Sequence, residues 1–442
     1  VSRPLPILSL ATALLLGAVG VFFALSADSR AAQTGVTPVE SSACGPVLSG
    51  EGLPTVQALI VSDLPLQGDS RQRSLQMNTA IRTVLADAGW QAGGRQIGFQ
   101  ACDDSEADTG LWSKRQCQAN ARAYAADPSL LGVVGTYNSG CAEAMIPILG
   151  RAPGGGVAMV SPGNTLICLT QSAPGCPKGA PKSLYPRRRN YARVVPNDAY
   201  QGAGLASFAQ QRRIDRPYVL YAGGDPTSLG QARTFRGAAK SLGIELAGFR
   251  AWNPDAANYK SLMKAVAKTM PDGVLLAGLT EENGAQLIKD KVAVLGPNNG
   301  MMKLLAPDGF AQQSTIDLAG AASKGMFASV PGRVPENLTG AGAKFVDQLR
   351  KDIDGPVELY APYAGQAASV LLGAIAHSGD RSGVLDAVRE TKVTDGITGS
   401  FSILPSGDPS LGPITISVAK SSFVPVREVD PGSRLVAAAR HG

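Results

Sequence analysis

Histidine is nearly missing from this chain: His377 and His441 are the only two in 442 residues. A serine or cysteine nucleophile would have few bases to work with. His377 falls inside an apolar helical pattern and reads as a structural or surface residue. There is no G-x-S-x-G elbow. Gly154-Gly155-Gly156 is neither a Walker loop nor G-x-G-x-x-G, so a phosphate cradle is not indicated. The chain has no C-x-x-C pair, which with so few histidines argues against zinc. Asp103 and Asp104 read as loop-forming carboxylates at a strand end rather than as metal ligands. Aromatic residues make up only 5%, and no basic patch is interleaved with them, so nucleic acid is not an expected partner. The net charge of +6 is modest for this length, and its densest cluster, Arg187-Arg188-Arg189, reads as a solvated loop. No enzyme activity, cofactor or metal is expected.

Charged residues at 17% and hydrophobic residues at 44% describe a globular protein, and the length favours two domains. Long apolar runs are absent except near the start, where Arg3 precedes an almost wholly apolar stretch at 7–25. Small residues follow, Ser26 and Ala27, and a cut after Ser26 or Ala31 fits the small-residue rule. Residues 1–31 are therefore read as a signal peptide or retained membrane anchor, and 32–52 as a linker. An exported, extracytoplasmic protein is expected. The six cysteines, Cys44, Cys102, Cys117, Cys141, Cys168 and Cys176, agree with export. Cys168 and Cys176 flank a Pro/Gly-rich loop and form the best local pair. Cys44 has a second reading as a lipidated residue, although Ser41-Ser42-Ala43 matches a lipidation box poorly.

From residue 56 onward, short apolar runs alternate with helix-period stretches. Strands are expected at 56–62, 96–101, 132–135, 157–160, 218–221, 246–251, 273–277, 303–306 and 325–330. Such alternation implies an α/β protein with two doubly wound parallel sheets. Segment 399–426 is expected to return strands to the second sheet, and residues after Pro431 to fray. The most informative stretch is GVVGTYNSGCAEAMIPILGRAPGGGVAMVSPGNT, residues 132–165. It delivers two polar turns to one sheet edge, where open α/β sheets bind ligands. Ser139 is expected at a helix N-cap, where a hydroxyl and free N–H groups suit a carboxylate.

These residues, together with YARVVPNDAYQGAGLASF, GVLLAGLTEENGAQLI and LLAPDGF, resemble the type I periplasmic binding proteins. Within them the chain is most similar to the branched-chain (Leu/Ile/Val) amino acid receptors of ABC importers. The resemblance implies two lobes joined by a three-crossing hinge, at 53–195 plus 332–396 and at 196–331 plus 397–425, with a tail at 426–442. It implies that Ser139 holds the ligand α-carboxylate, that Gly163 and Thr165 add contacts, and that Asp308 binds the α-ammonium. The family's cleft tyrosines are replaced by Leu229 and Leu279, so branched-chain specificity does not carry over, and the two leucines lean toward a neutral ligand. Thr280, Glu281, Glu282 and Tyr360 are candidates for a changed side-chain pocket. The resemblance also implies a bridge from Cys102 or Cys117 to Cys141, the leftover cysteine pairing with Cys44. The expected function is capture of an amino acid or related small molecule for a membrane permease, by a monomer with an N-terminal tether as an option. The alternative is a sensory module of the same fold.

Overall fold

The computed structural model describes residues 35–36, 38–41 and 43–442. The proposed signal or anchor segment lies outside the described residues. No helix among the described residues is long and apolar enough to cross a membrane.

The first stretch runs β1 (Ala58–Leu64), α1 (Arg71–Asp87), β2 (Gln91–Ala92), β3 (Arg95–Asp103), α2 (Lys114–Ala126), β4 (Leu130–Gly135), α3 (Ser139–Leu149), β5 (Ala158–Ser161) and β6 (Tyr191–Arg193). Its six strands form one sheet in the order β2-β3-β1-β4-β5-β6, parallel except for the β2–β3 pair. Every residue of β1 is buried. This is why the sequence there reads as a continuous apolar run: helices cover both faces of the sheet.

The second stretch runs α4 (Asp198–Gln211), β7 (Pro217–Ala222), α5 (Pro226–Ser241), β8 (Gly248–Trp252), α6 (Lys260–Ala267), β9 (Gly273–Ala277), α7 (Ala285–Leu295), β10 (Lys303–Ala306), α8 (Gln313–Ala319) and β11 (Phe327–Pro331). The chain then adds α9 (Ala341–Asp352), α10 (Tyr360–His377), α11 (Arg381–Arg389), β12 (Lys392–Gly396), β13 (Gly399–Ser402), β14 (Ile414–Ala419), β15 (Phe423–Val429) and α12 (Ser433–Arg440). The second sheet has the order β15-β14-β11-β10-β9-β7-β8. Helices α9 to α11 return to the first sheet: Phe345, Leu371 and Leu385 share a core with Ile60 and Val134. Strands β14 and β15 then close the edge of the second sheet, antiparallel to β11 and to each other.

Two expectations near the C-terminus are corrected. Strand β13 does not join the second sheet but pairs with β12, because Phe401 and Ile403 bury their side chains in the first core. The segment after Pro431 is not frayed but forms α12, whose Val436 and Ala439, three apart and so on one face, pack into the core with Ala203 and Phe235 of α4 and α5.

The disulfides are Cys44–Cys102, Cys117–Cys141 and Cys168–Cys176. The choice left open between Cys102 and Cys117 falls to Cys117. The Cys44 sulfur is engaged, so it does not offer a lipid attachment point.

Beside the Cys117–Cys141 bridge, at the C-terminal end of β1, the Asp63 and Asp104 carboxyls are fully buried. Asp63 accepts from Asn120 Nδ2 at 2.9 Å and from the Tyr124 hydroxyl. Burial raises the Asp63 pKa; burial and the Asp63 charge raise that of Asp104. A carboxyl with a raised folded pKa binds its proton more tightly in the folded state, so stability falls as pH rises from its ordinary value near 3.8 through the folded one. Wild-type protein should therefore melt at a higher temperature at about pH 5 than at about pH 8, and Asp104→Asn should flatten that slope. An unchanged slope in the variant would show that this pair keeps ordinary pKa values.

Candidate functional site

In the first sheet the connections from β1 and β4 leave in opposite directions, and in the second sheet those from β7 and β9 do the same. Loops at such switch points form crevices beyond the carboxyl ends of the strands. The site is built from these loops.

After β4 the chain turns at Thr136, Tyr137 and Asn138 and enters α3. Asn138 has extended dihedrals and is the cap residue, so Ser139 is the first helical residue rather than the cap expected from the sequence. The first intrahelical bonds are donated by Cys141 and Ala142 to Asn138 O, which leaves the N–H groups of Ser139 and Gly140 at the free helix start. The Ser139 hydroxyl accepts from the Leu166 N–H at 3.3 Å.

The turn after β5 is fastened to this one. Asn164 Nδ2 donates to the carbonyls of Thr136 and Tyr137, both at 2.9 Å, and Ser161 Oγ donates to Thr136 O at 2.9 Å. A Cβ on Gly163 would lie 3.1 Å from the Tyr137 ring, so glycine permits the close approach. Behind the Tyr137 ring, Arg73 lies 4.5 Å from its centroid and Tyr360 packs edge-on at 5.4 Å.

The second lobe supplies Asp308, in the turn after β10. Its carboxylate is almost fully buried. Oδ1 accepts from Gln201 Nε2 at 2.6 Å and Gln231 Nε2 at 3.2 Å; Oδ2 accepts from the Tyr360 hydroxyl at 2.5 Å. Burial raises its pKa, and the Tyr360 and Gln201 donors hold the rise back. Behind it, Asp198 is pushed up to about 7 by burial and by the Asp308 charge. Across the lobes, Glu281 accepts from Ser70 Oγ at 3.0 Å and pairs with Arg73 at 3.5 Å. Glu282, pushed up to about 8 by burial and the Asp225 charge, accepts from Leu279 N at 2.8 Å and from Ser228 Oγ at 3.2 Å.

One small pocket between the sheets brings together Ser139, Gly163, Thr165, Asp308 and Leu279, five of the residues singled out from the sequence. The other five candidates lie outside its lining, Glu281 and Glu282 with the contacts given above. Leu229 is half-buried on α5 outside the pocket lining. Thr280 turns inward, where its hydroxyl meets Thr315 Oγ1 at 2.5 Å and Gly309 O at 3.2 Å. Tyr360 reaches the pocket only through Asp308.

The pocket also takes in Trp112, Tyr137, Asp225, Thr227, Ser228 and Gln231, which the sequence reading missed. Asp225-Pro226-Thr227-Ser228 carried a usable signal: an acid, then proline, directly after a strand marks a helix start at the second sheet's edge. Trp112 carried none, because it arrives from a long loop held by a bridge between Ser105 and itself. The described residues hold one grouping of potential metal ligands, Asp104 with Cys117 and Cys141, and its two sulfurs are bonded to each other.

Comparison with known proteins agrees with this architecture. A family model described as periplasmic binding protein matches residues 64–411. A Leu/Ile/Val-binding protein homolog 2 of Brucella abortus is 24% identical over 356 residues, covering 79% of this chain and 86% of the relative. Among solved structures, a leucine-binding protein LivK from Thermotoga maritima superposes with a TM-score of 0.73 at 20% identity, covering 85% of this chain and 99% of that one. A solute-binding protein of an ABC transporter from Rhodopseudomonas palustris, in complex with p-hydroxybenzoic acid, gives 0.71 at 14% identity over 85% and 97% of the two chains. With the family model spanning most of its length and both sheets matching that fold, this chain belongs to the periplasmic binding proteins and has their two-lobed type I architecture.

Proposed function

We propose that this protein is an extracytoplasmic receptor that captures an amino acid or close relative between its lobes and delivers it to an ABC importer. The observation that carries the reading is the meeting, in one pocket, of a helix start with a hydroxyl from one lobe and a carboxylate from the other. A zwitterion needs both ends. Its α-carboxylate would sit on Ser139 Oγ, the free N–H groups of Ser139 and Gly140, and Thr165. The helix dipole favours an anion there. Its α-ammonium would sit on Asp308, with Gly163 completing the floor. Only the closed form offers both ends, so ligand shifts the population toward closure. The crossings at 195–197, at Pro331 and between Ser402 and Ile414, the last beyond the 396/397 boundary expected from the sequence because Phe401 and Ile403 pack in the first core, would serve as the hinge. Relatives that bind leucine, and one caught with p-hydroxybenzoic acid, support a small organic acid as the general ligand of this fold. It is Asp308 that argues for an amine. Three disulfides support an oxidising compartment.

A thermal-shift screen of ligand-stripped protein against amino acids, amides and organic acids tests this. A ligand at 100 times its Kd should add about 2.7 kcal/mol of stability. Absence of a shift with every α-amino acid would overturn the zwitterion reading. Ser139→Ala should weaken binding by about 1.5 kcal/mol, roughly tenfold, with little change in the unliganded melting temperature. A lowered melting temperature at unchanged affinity would leave Ser139 a purely structural role.

A further inference from the structure

We infer that the distal part of the pocket is built for a cationic group, so that the ligand is an α-amino acid with a basic side chain rather than a branched aliphatic one. This inference rests on the receptor reading above and sharpens it. Once the two ends of the zwitterion are assigned, eight residues of the lining remain for the side chain: the polar or charged Asn138, Asp225, Thr227, Ser228 and Gln231, and the aromatic or apolar Trp112, Tyr137 and Leu279. A branched aliphatic side chain needs apolar walls on all sides, and five of these eight residues are polar or charged. The whole lining holds two acidic side chains, Asp225 and Asp308, and no lysine or arginine. The buried cations beside the lining are already paired: Arg73 with Glu281, against the Tyr137 ring, and Arg193 with Asp408. An α-amino acid satisfies Asp308 alone, and its carboxylate uses the helix start. Asp225 is left without a counter-charge.

The geometry of Asp225 fits this role. It caps α5, and both bonds to it, from Ser228 N and Ser228 Oγ at 2.6 Å, end on Oδ2. No partner reaches Oδ1 among the described residues. The cap uses one oxygen to answer the positive end of α5 and leaves the other for a ligand donor. Glu282 stands behind, joined to the same Ser228 hydroxyl. Burial and the Asp225 charge raise its pKa, and an arriving cation would offset that charge. Trp112, on the first lobe, lines the same pocket, and an indole there suits the alkyl stem and charge of a lysine or arginine side chain. The replacement of the family's cleft tyrosines by Leu229 and Leu279 suggested a neutral ligand; Leu229 proves to lie outside the lining, and the acid four residues before it lines the wall instead.

Calorimetric titration of ligand-stripped protein with L-arginine, L-lysine, L-glutamine, L-leucine and L-glutamate reads this directly. Arginine or lysine should bind at least about tenfold more tightly than leucine, with glutamate weakest. Asp225→Asn, which keeps a good cap residue, should lower affinity for the basic amino acid by about tenfold, and for leucine by much less. Asp225→Ser, another capping residue, provides the same comparison if the asparagine variant folds poorly. Tightest binding of leucine, or of glutamine, overturns the inference while leaving the receptor reading intact. Equal losses for arginine and leucine in the variant also overturn it, because Asp225 would then act only as a cap. Failure of every amino acid to bind overturns both.

Discussion

Asp308→Asn should weaken the binding of every α-amino acid ligand by about 1.5–3 kcal/mol, the scale of a charge-assisted hydrogen bond. The carboxylate is held by Gln201, Gln231 and Tyr360, so it is aimed before ligand arrives. Asparagine keeps its size but not its charge. Its amide also turns an N–H toward one of these donors, so an ammonium meets a neutral, partly mismatched partner. Tyr360 belongs to the helix that returns to the first core, whereas Asp308 lies in the turn after a strand of the second sheet. The contact thus spans the lobes, and the variant should also shift the unliganded protein toward open forms, visible as a larger radius of gyration. The wild-type carboxyl has a raised pKa through burial, so affinity should fall as pH drops toward that value and the group takes a proton. The variant should lack this part of the pH dependence. Equal affinities of wild type and variant in calorimetry would remove Asp308 from the ammonium site.

The legible parts of this molecule are those where one physical cause dominates. Buried parallel strands such as β1 and β9 show as bare apolar runs because both faces are covered. Ser139 was legible as a helix start at a strand-end turn, Gly163 and Asp308 through the family resemblance, and one pocket lining holds all three. What stayed hidden depends on contacts between distant segments. Thr280 and Leu229 lie close in sequence to residues that do line the pocket, but a few residues of helix or turn point them elsewhere, and spacing alone does not fix that direction. Strand β6 was missed for a different reason: Tyr191, Ala192 and Arg193 carry no apolar run, and the arginine argues for a surface. Its burial is intelligible only with the partner that residue 408 supplies from a distant loop.

That partner makes Arg193 the second position where a large effect is expected. Its guanidinium is fully buried, 2.9 Å from Asp408, and donates to the carbonyls of Asn164 at 2.8 Å and Leu166 at 2.9 Å and to Thr170 Oγ1 at 2.6 Å. Asp408 also accepts from Gln171 and Thr170, and despite its burial Arg193 and these donors hold its pKa below the usual carboxylate range. Arg193→Met preserves volume but strands a buried carboxylate and two carbonyls, so it should cost about 3–5 kcal/mol in urea unfolding. The double change Arg193→Met with Asp408→Leu should recover a good part of that, since replacing both buried charges removes the stranded one. Asn164 and Leu166 bracket the turn that carries Thr165 into the pocket, so ligand affinity should drop in Arg193→Met even at temperatures where the protein is folded. The pH dependence separates the charge from the packing. A lowered folded pKa gives stability that is present above the ordinary aspartate value and is lost as pH falls through the folded one. The difference in stability between wild type and Arg193→Met should therefore shrink at acid pH, where Asp408 is protonated in both. A difference that stays constant down to pH about 2 would mean that the cavity left by the guanidinium, and not the stranded charge, sets the cost.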